Sequence, residues 1–234
     1  MGQYQVNSQC HVQVSSVGNE QIPLIVIDNF ALSLEDIKQQ ANQAVFSDLD
    51  TAFYPGLRSP LPDSYIKETL SAVISGIRKV YKISPQRAVI NKGCHFSLIT
   101  KHGNELSPMQ CIPHFDTPNP NFFAILHYLN DGPHGATGLF RHRNTGYERI
   151  NPTRKDRYFT SLQHDIDQNN QSLSGYYTQS HGIFDLYHRI DYKVNRLVIY
   201  PGHILHSTLV SEQHDITADV NTGRLTANLF IQFQ

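Results

Sequence analysis

The sequence predicts an α+β protein that is mainly β, with two helices early in the chain and an antiparallel sandwich or barrel as its main body. Three observations carry this expectation. Residues 34–44 and 63–81 repeat apolar side chains at helical spacing, and from residue 88 onward the apolar runs become short and β-rich. Clusters of Gly, Pro and Asn separate those later runs. Helices first and strands afterwards make an α+β layout rather than an alternating α/β one.

Residues 21–28 (QIPLIVID) form a short β-branched run that ends at Asn29 and reads as a strand. In the first helix Ser33 is placed to cap, with Asp36 three residues on, and Leu34, Ile37, Ala41 and Ala44 share one face. Residues 53–62 carry three prolines and a glycine and read as an ordered or extended loop. The second helix begins near Asp63 or Ser64, and Ile66, Leu70, Val73, Ile77 and Val80 keep one stripe as far as Tyr81. Strands are expected at 88–90, 95–100, 122–129, 138–142, 196–200 and 225–233. Residues 145–192 are polar, with 163–171 reading QHDIDQNNQ, yet Tyr158, Phe159, Tyr176, Tyr177, Phe184 and Tyr187 interrupt them. A stretch of that length exceeds a hairpin loop and reads as an insertion, either a lid over the functional site or an interface.

The chain has 234 residues, 39% apolar and 17% charged, which suits a single domain spanning 1–234. Cys10, Cys94 and Cys111 are odd in number and far apart, so neither a disulfide framework nor a zinc knuckle is expected, and a reducing compartment fits. Lys and Arg total 19 against 20 Asp and Glu, with no long block of either sign, which argues against nucleic-acid binding. No apolar run reaches the roughly 20 residues of a membrane span, so a soluble, cytoplasmic protein is expected. The composition includes 13 histidines, which invites a metal site.

The sharpest local pattern is Pro113-His114-Phe115-Asp116. On a strand, residues i and i+2 share a face, so the imidazole and the carboxylate can converge on one ion. An HxD triplet alone means little in a chain this rich in both residue types, and its weight comes from downstream. Residues 195–207 (NRLVIYPGHILHS) place an apolar strand, a Pro-Gly turn and two histidines, His203 and His206, in succession, so a third ligand is available. Two histidines and a carboxylate on one face of an octahedron leave three positions open, as in non-haem Fe(II) oxygenases. An oxo-acid co-substrate bound there needs a cation for its far carboxylate, and Arg224, in the otherwise apolar run 223–230, has the planar fork for it.

The ordered set of HxD, the aromatic strand ending Tyr128-Leu129-Asn130, Thr137-Gly138-Leu139-Phe140-Arg141, the Pro-Gly turn leading to His206, and Arg224 resembles the prolyl-4-hydroxylase-like branch of the Fe(II)/2-oxoglutarate-dependent dioxygenases. Residues 140–146 are similar to uncharacterised bacterial members of that superfamily. The resemblance covers roughly residues 90–234. It implies a double-stranded β-helix (jelly roll) with N-terminal flanking helices, Fe(II) on His114, Asp116 and His206, and 2-oxoglutarate held by Arg224 with help from the Tyr128 hydroxyl. It also makes His206 the ligand rather than His203, which on a strand would face the other way. The separation between His206 and Arg224 is longer than the family commonly has, and a turn at 213–219 would absorb the excess.

His127, His142 and His188 read as structural or surface histidines. Arg141 and Arg143 alternate around His142 and could line a pocket for an anionic substrate, or form a solvated strand face. Two functions stay open: an oxygenase hydroxylating a small-molecule or peptide substrate, and a cupin-like metal-dependent small-molecule binder without oxygenase activity. Arg224 favours the first, because a cupin has no need of it.

Overall fold

The computed structural model describes residues 4–48, 54–169 and 174–234. Ten strands and four helices follow in the order β1 (His11–Val17), β2 (Ile22–Asp28), α1 (Glu35–Gln43), β3 (Gly56–Pro60), α2 (Asp63–Tyr81), β4 (Val89–Ile99), β5 (Phe122–Tyr128), β6 (Thr137–His142), α3 (Lys155–Asn169), β7 (Phe184–Ile190), β8 (Leu197–Pro201), β9 (His206–Thr208), α4 (Glu212–Asp215) and β10 (Thr226–Phe233). The fold is mostly β, with two antiparallel sheets and few helices. The larger sheet runs β1-β2-β8-β5-β10-β4-β3 and the smaller β7-β6-β9.

Both early helices form where apolar spacing places them. Helix α2 buries Tyr65, Thr69, Val73 and Ile77 at four-residue intervals, opens with Asp63 and closes with Arg78 and Lys79 in its last turn, as its dipole favours. Helix α1 buries Ile37 and Ala41, and the Ser33 hydroxyl accepts the Glu35 N–H at 3.1 Å. The two helices cover the outer face of the larger sheet, meeting Ile25, Phe123, Ile125, Leu197, Ile199, Leu229 and Ile231 in one core. Each such side chain taken from water contributes about 1.5–3 kcal/mol before chain entropy is counted.

A second core lies between the sheets, where Leu24, Leu126, Tyr128, Val198 and Tyr200 of the larger meet Leu139 and Ile190 of the smaller. The central strands β5 and β8 thus bury both faces, which is why their sequences are continuously apolar. A third core backs the smaller sheet: Tyr158 and Leu162 of α3 pack on Phe140, Phe184 and Leu205. Residues 145–192 therefore hold a helix and a strand, and β7 is an integral edge of the smaller sheet, paired along β6 from Thr137↔Ile190 to His142↔Phe184.

The stretch 53–62, expected as loop, contains edge strand β3, paired with β4 from Gly56↔Ile99 to Pro60↔His95. Strand β4, expected as two pieces, is one strand with a bulge: Phe230 pairs with Gly93 and Ile231 with Asn91, so Lys92 is the extra residue. Gly93 takes φ +152°, a conformation that side chains resist. The segment between β9 and β10 makes α4 and a turn closed by Gly223 N–H to Asp219 O at 2.8 Å, and it absorbs the long separation before Arg224. No helix among the described residues is long and apolar enough to cross a membrane.

At the sheet edge near the β8 entry, Asp28 accepts from Arg196 at 2.7 Å and Lys193 at 3.0 Å. The Arg196 hydrogen bond, ahead of the opposing cost of burial, holds its carboxyl down at about 2 against an ordinary 3.8. A depressed folded pKa gives stability that is present above about pH 4 and lost as pH falls through about 2. Asp28→Asn should therefore cost on the order of 1–2 kcal/mol at pH 7. Urea denaturation of both proteins at pH 7 and near pH 2 checks this, since the gap between them should close in acid.

Candidate metal centre

The site is assembled by one bridge and one turn. His114 and His206 face each other as an antiparallel bridge, His114 N–H to His206 O at 2.9 Å and His206 N–H to His114 O at 2.8 Å. Directly opposed residues share a face, so the two rings come to 4.5 Å between centroids. Two residues on, Asp116 returns to that face, and its N–H is held by Gly202 O at 2.7 Å, which pins it against the Pro-Gly turn. A Cβ at Gly202 would stand 2.9 Å from Asp116 Oδ2 and 2.5 Å from the Phe122 ring, so the turn needs glycine for that close approach.

The ligand atoms of His114, Asp116 and His206 all lie within 4.8 Å of one another. Asp116 Oδ1 is 3.8 Å from His206 Nε2 and 4.0 Å from His114 Nε2. His206 Nδ1 lies 2.9 Å from the Ile204 carbonyl, an acceptor only, so Nδ1 carries the proton and Nε2 keeps its lone pair for a metal. His114 opens half of its side chain to solvent, yet the walls of the cleft desolvate it, and the Arg58 charge and any on His206 would oppose a further one, so its pKa falls. Burial raises the Asp116 pKa against the opposing pull of His206 and Arg58. Two imidazoles and one carboxylate, converging from one side, fit a divalent transition ion with open positions.

Arg224 is 2% exposed. Its Nε donates to Gly135 O at 2.8 Å, its guanidinium lies over the rings of Tyr128 at 5.4 Å and Tyr192 at 5.6 Å, and its Nη2 has no partner. The Gly135 N–H is in turn held by Asp215, whose buried carboxylate also takes the Ser211 N–H at 2.7 Å and meets His134 Nδ1 at 3.0 Å. The Tyr128 hydroxyl, expected to reach a co-substrate, is paired with Thr137 Oγ1 at 2.8 Å, and it is the ring face that serves Arg224. Tyr200 links the two groups: its ring is 5.0 Å from His206, and its hydroxyl, pushed well above the ordinary range by burial, feels both Asp116 and Arg224.

His203 is buried on the other side of the turn, where Arg149, Glu20 and Arg154 surround it, away from the three converging donors. Two expected substrate residues belong elsewhere. Arg141 Nε donates to the fully buried Glu148 at 2.9 Å, and Arg143 donates to Asp185 at 2.7 Å and to the Gly182 carbonyl at 2.6 Å. Both are held by their own carboxylates at the β6–β7 end, and neither joins the cluster. His127 is structural, with Nδ1 2.9 Å from the Tyr65 hydroxyl and Nε2 3.1 Å from Asn195 Oδ1. His142 lies among Tyr158 and Phe184, and His188 is half-buried on β7. Sequence reasoning missed Arg58, whose charge acts on His114 and Asp116, and Tyr200, which lies against His206. Strand alternation could have found Tyr200, which shares an inward face with Val198.

Fold and site together define a two-sheet β protein carrying a two-histidine, one-carboxylate cluster and a buried arginine. Residues 8–231 match the model of a family of unknown function, DUF6445, and the chain belongs to that family. No curated protein matches it. Among solved structures it is similar to HygX from Streptomyces hygroscopicus with nickel and 2-oxoglutarate bound, at 11% identity and TM-score 0.46, over 93% of this chain and 83% of that one. It is also similar to an oxidoreductase of the 2OG-Fe(II) oxygenase family from Burkholderia pseudomallei, at 9% identity and TM-score 0.45, over 89% of this chain and 84% of that one. A third is an N-substituted L-amino acid dioxygenase from Burkholderia ambifaria AMMD in complex with alpha-KG, at 10% identity and TM-score 0.29, over 92% and 82%.

Proposed function

We propose that the protein is an Fe(II)- and 2-oxoglutarate-dependent oxygenase acting on a small-molecule or peptide substrate. The observation that carries this reading is Arg224, a buried guanidinium with an unpartnered Nη2, joined to the His-Asp-His cluster through Tyr200, whose ring lies against His206 and whose hydroxyl feels the Arg224 charge. A buried cation is costly unless an anion meets it, and the far carboxylate of a 2-oxo dicarboxylic acid supplies one. On this reading the two sheets are a jelly roll of the prolyl-4-hydroxylase-like kind, and His114, Asp116 and His206 hold the iron.

Iron with 2-oxoglutarate and dioxygen supplies the oxidising power needed to attack an unactivated C–H bond. The chain's own residues do the rest. The Ile204 carbonyl fixes the His206 tautomer, and the Gly202 carbonyl anchors the Asp116 backbone. Asp215 steadies Gly135, and Gly135 aims Arg224 through its Nε. Tyr128 and Tyr192 keep water from the guanidinium faces and leave its outer edge for the co-substrate.

Anaerobic addition of Fe(II) and then 2-oxoglutarate tests the reading. A visible metal-to-ligand charge-transfer band should appear only when both are present, because it requires the keto acid to chelate the metal. A protein that binds metal and gives no band on 2-oxoglutarate addition is a cupin-like binder and not an oxygenase.

A further inference from the structure

The two sheets differ in width, and the difference exposes a polar floor. The apolar layer between them draws its larger-sheet residues from β1, β2, β5 and β8, with Phe230 of β10 at its border, and none from β4 or β3. On the inward face of that remainder the register lays out two rows. Arg58 pairs with Ser97, Ser97 with Thr226, and Thr226 with Tyr128. Pro60 pairs with His95, His95 with Asn228, and Asn228 with Leu126. Since Tyr128 and Leu126 face the smaller sheet, so do Arg58 and His95, on the side of the metal centre.

Three buried polar atoms there have no partner: Tyr54 Oη, Arg58 Nε and His95 Nδ1. They form one group. The Arg58 guanidinium stands 4.5 Å over the Tyr54 ring, and its charge acts on His95, His114 and Asp116. No carboxylate lies within ion-pair distance of Arg58 among the described residues. The other buried or half-buried arginines of the smaller sheet and its surroundings are matched: Arg141 by Glu148, Arg149 and Arg154 by Glu20, and Arg196 by Asp28.

We propose that Arg58, with Tyr54 and His95, forms a second anion subsite that selects substrates carrying a carboxylate and holds them beside the metal. The inference rests on the oxygenase reading and adds the substrate class to it. Asp116 does not serve as the counter-ion, because its charge is committed to the metal. The co-substrate's carboxylates are committed to the metal and to Arg224. Arg58 is then the charge left over. A carboxylate matches it, whereas a doubly charged phosphate would overshoot. The Tyr54 hydroxyl, pushed up to about 12 by burial, stays protonated and donates to the same anion.

The test uses Zn(II)-loaded protein with and without 2-oxoglutarate, and fluorine NMR of 4-(trifluoromethyl)benzoate and of a trifluoroacetylated Ala-Ala-Gly peptide, each compared with its own amide. The acids should bind and the amides should not, and which acid binds tells a small molecule from a peptide terminus. Arg58→Gln should weaken the acid roughly tenfold or more, Arg58→Lys should recover part of that, and Tyr54→Phe should give a smaller loss without disturbing the fold. The Fe(II)/2-oxoglutarate band should keep its co-substrate affinity in Arg58→Gln. Equal binding of acid and amide, no binding by either acid, or unchanged acid affinity in Arg58→Gln overturns the subsite. Loss of 2-oxoglutarate affinity in Arg58→Gln also overturns it, since Arg58 would then hold the co-substrate. A missing charge-transfer band in wild type strikes at the oxygenase reading instead, while the zinc measurements still judge Arg58.

Discussion

His206→Ala should give a folded protein that no longer takes up iron, while His203→Ala binds iron as the wild type does. Only the side chain is lost, and the paired backbone amides of positions 114 and 206 remain, so the bridge that shapes the site survives. Loss of a partner behind a metal ligand already weakens binding 10–100-fold, so loss of the ligand itself should exceed about 100-fold. Iron content after anaerobic loading and desalting, beside circular dichroism of each variant, reads the result. Metal retained by His206→Ala and lost from His203→Ala would mean that the wrong face of the Pro-Gly turn had been chosen.

Arg224→Ala should leave iron binding intact and cut 2-oxoglutarate affinity by a large factor. Removing one member of a buried charge-assisted pair costs roughly 2–5 kcal/mol, or on the order of 30- to several-thousand-fold. Part of that belongs to positioning, because the Gly135 carbonyl also loses its Nε donor and the rings of Tyr128 and Tyr192 lose their cover. Arg224→Lys should recover some affinity as a point charge that lacks both the fork and the Nε anchor. Titration of the charge-transfer band measures each variant. Wild-type affinity in Arg224→Ala would remove the observation on which the oxygenase reading stands.

What the sequence disclosed depends on how local each signal was. Helix α2 and the strands β2, β5, β8 and β10 were legible because a buried face repeats within a few residues. The triad was legible because HxD is an alternation motif and His206 follows a turn that only Pro and Gly spell. Strand β1 was missed because only Val12 and Val14 alternate before Ser15 and Ser16 break the pattern, and both valines are exposed. Helix α3 hid in its Gln and Asn content, although Tyr158 and Leu162 stand one helical turn apart and both are buried. Edge strand β3 tolerates Pro60 because an edge has an unpaired side, and that proline, with Pro55 and Pro62 flanking the strand, makes the stretch read as loop. Arg58 could not be found locally at all. Its neighbours Ser97, Thr226 and Tyr128 are distant in the chain and meet it only through sheet register.

The three side chains of the His-Asp-His cluster hang from the smaller sheet and the turn leading into it, whereas Tyr128 and Arg58 belong to the larger sheet and Arg224 sits at the entry to its strand β10. If the cluster holds iron as proposed, the separation between that ion and the two arginines follows from the apolar layer that spaces the sheets. Leu126, Val198, Leu139 and Ile204 act there as spacers, setting a distance as well as excluding water. Close packing makes that distance stiff, so two groups of side chains that share no covalent neighbourhood are kept in gauge by side chains without a polar atom among them. On the proposed function, a methylene lost from the middle of the sandwich should be felt as a misfit between co-substrate and metal before it is felt as instability.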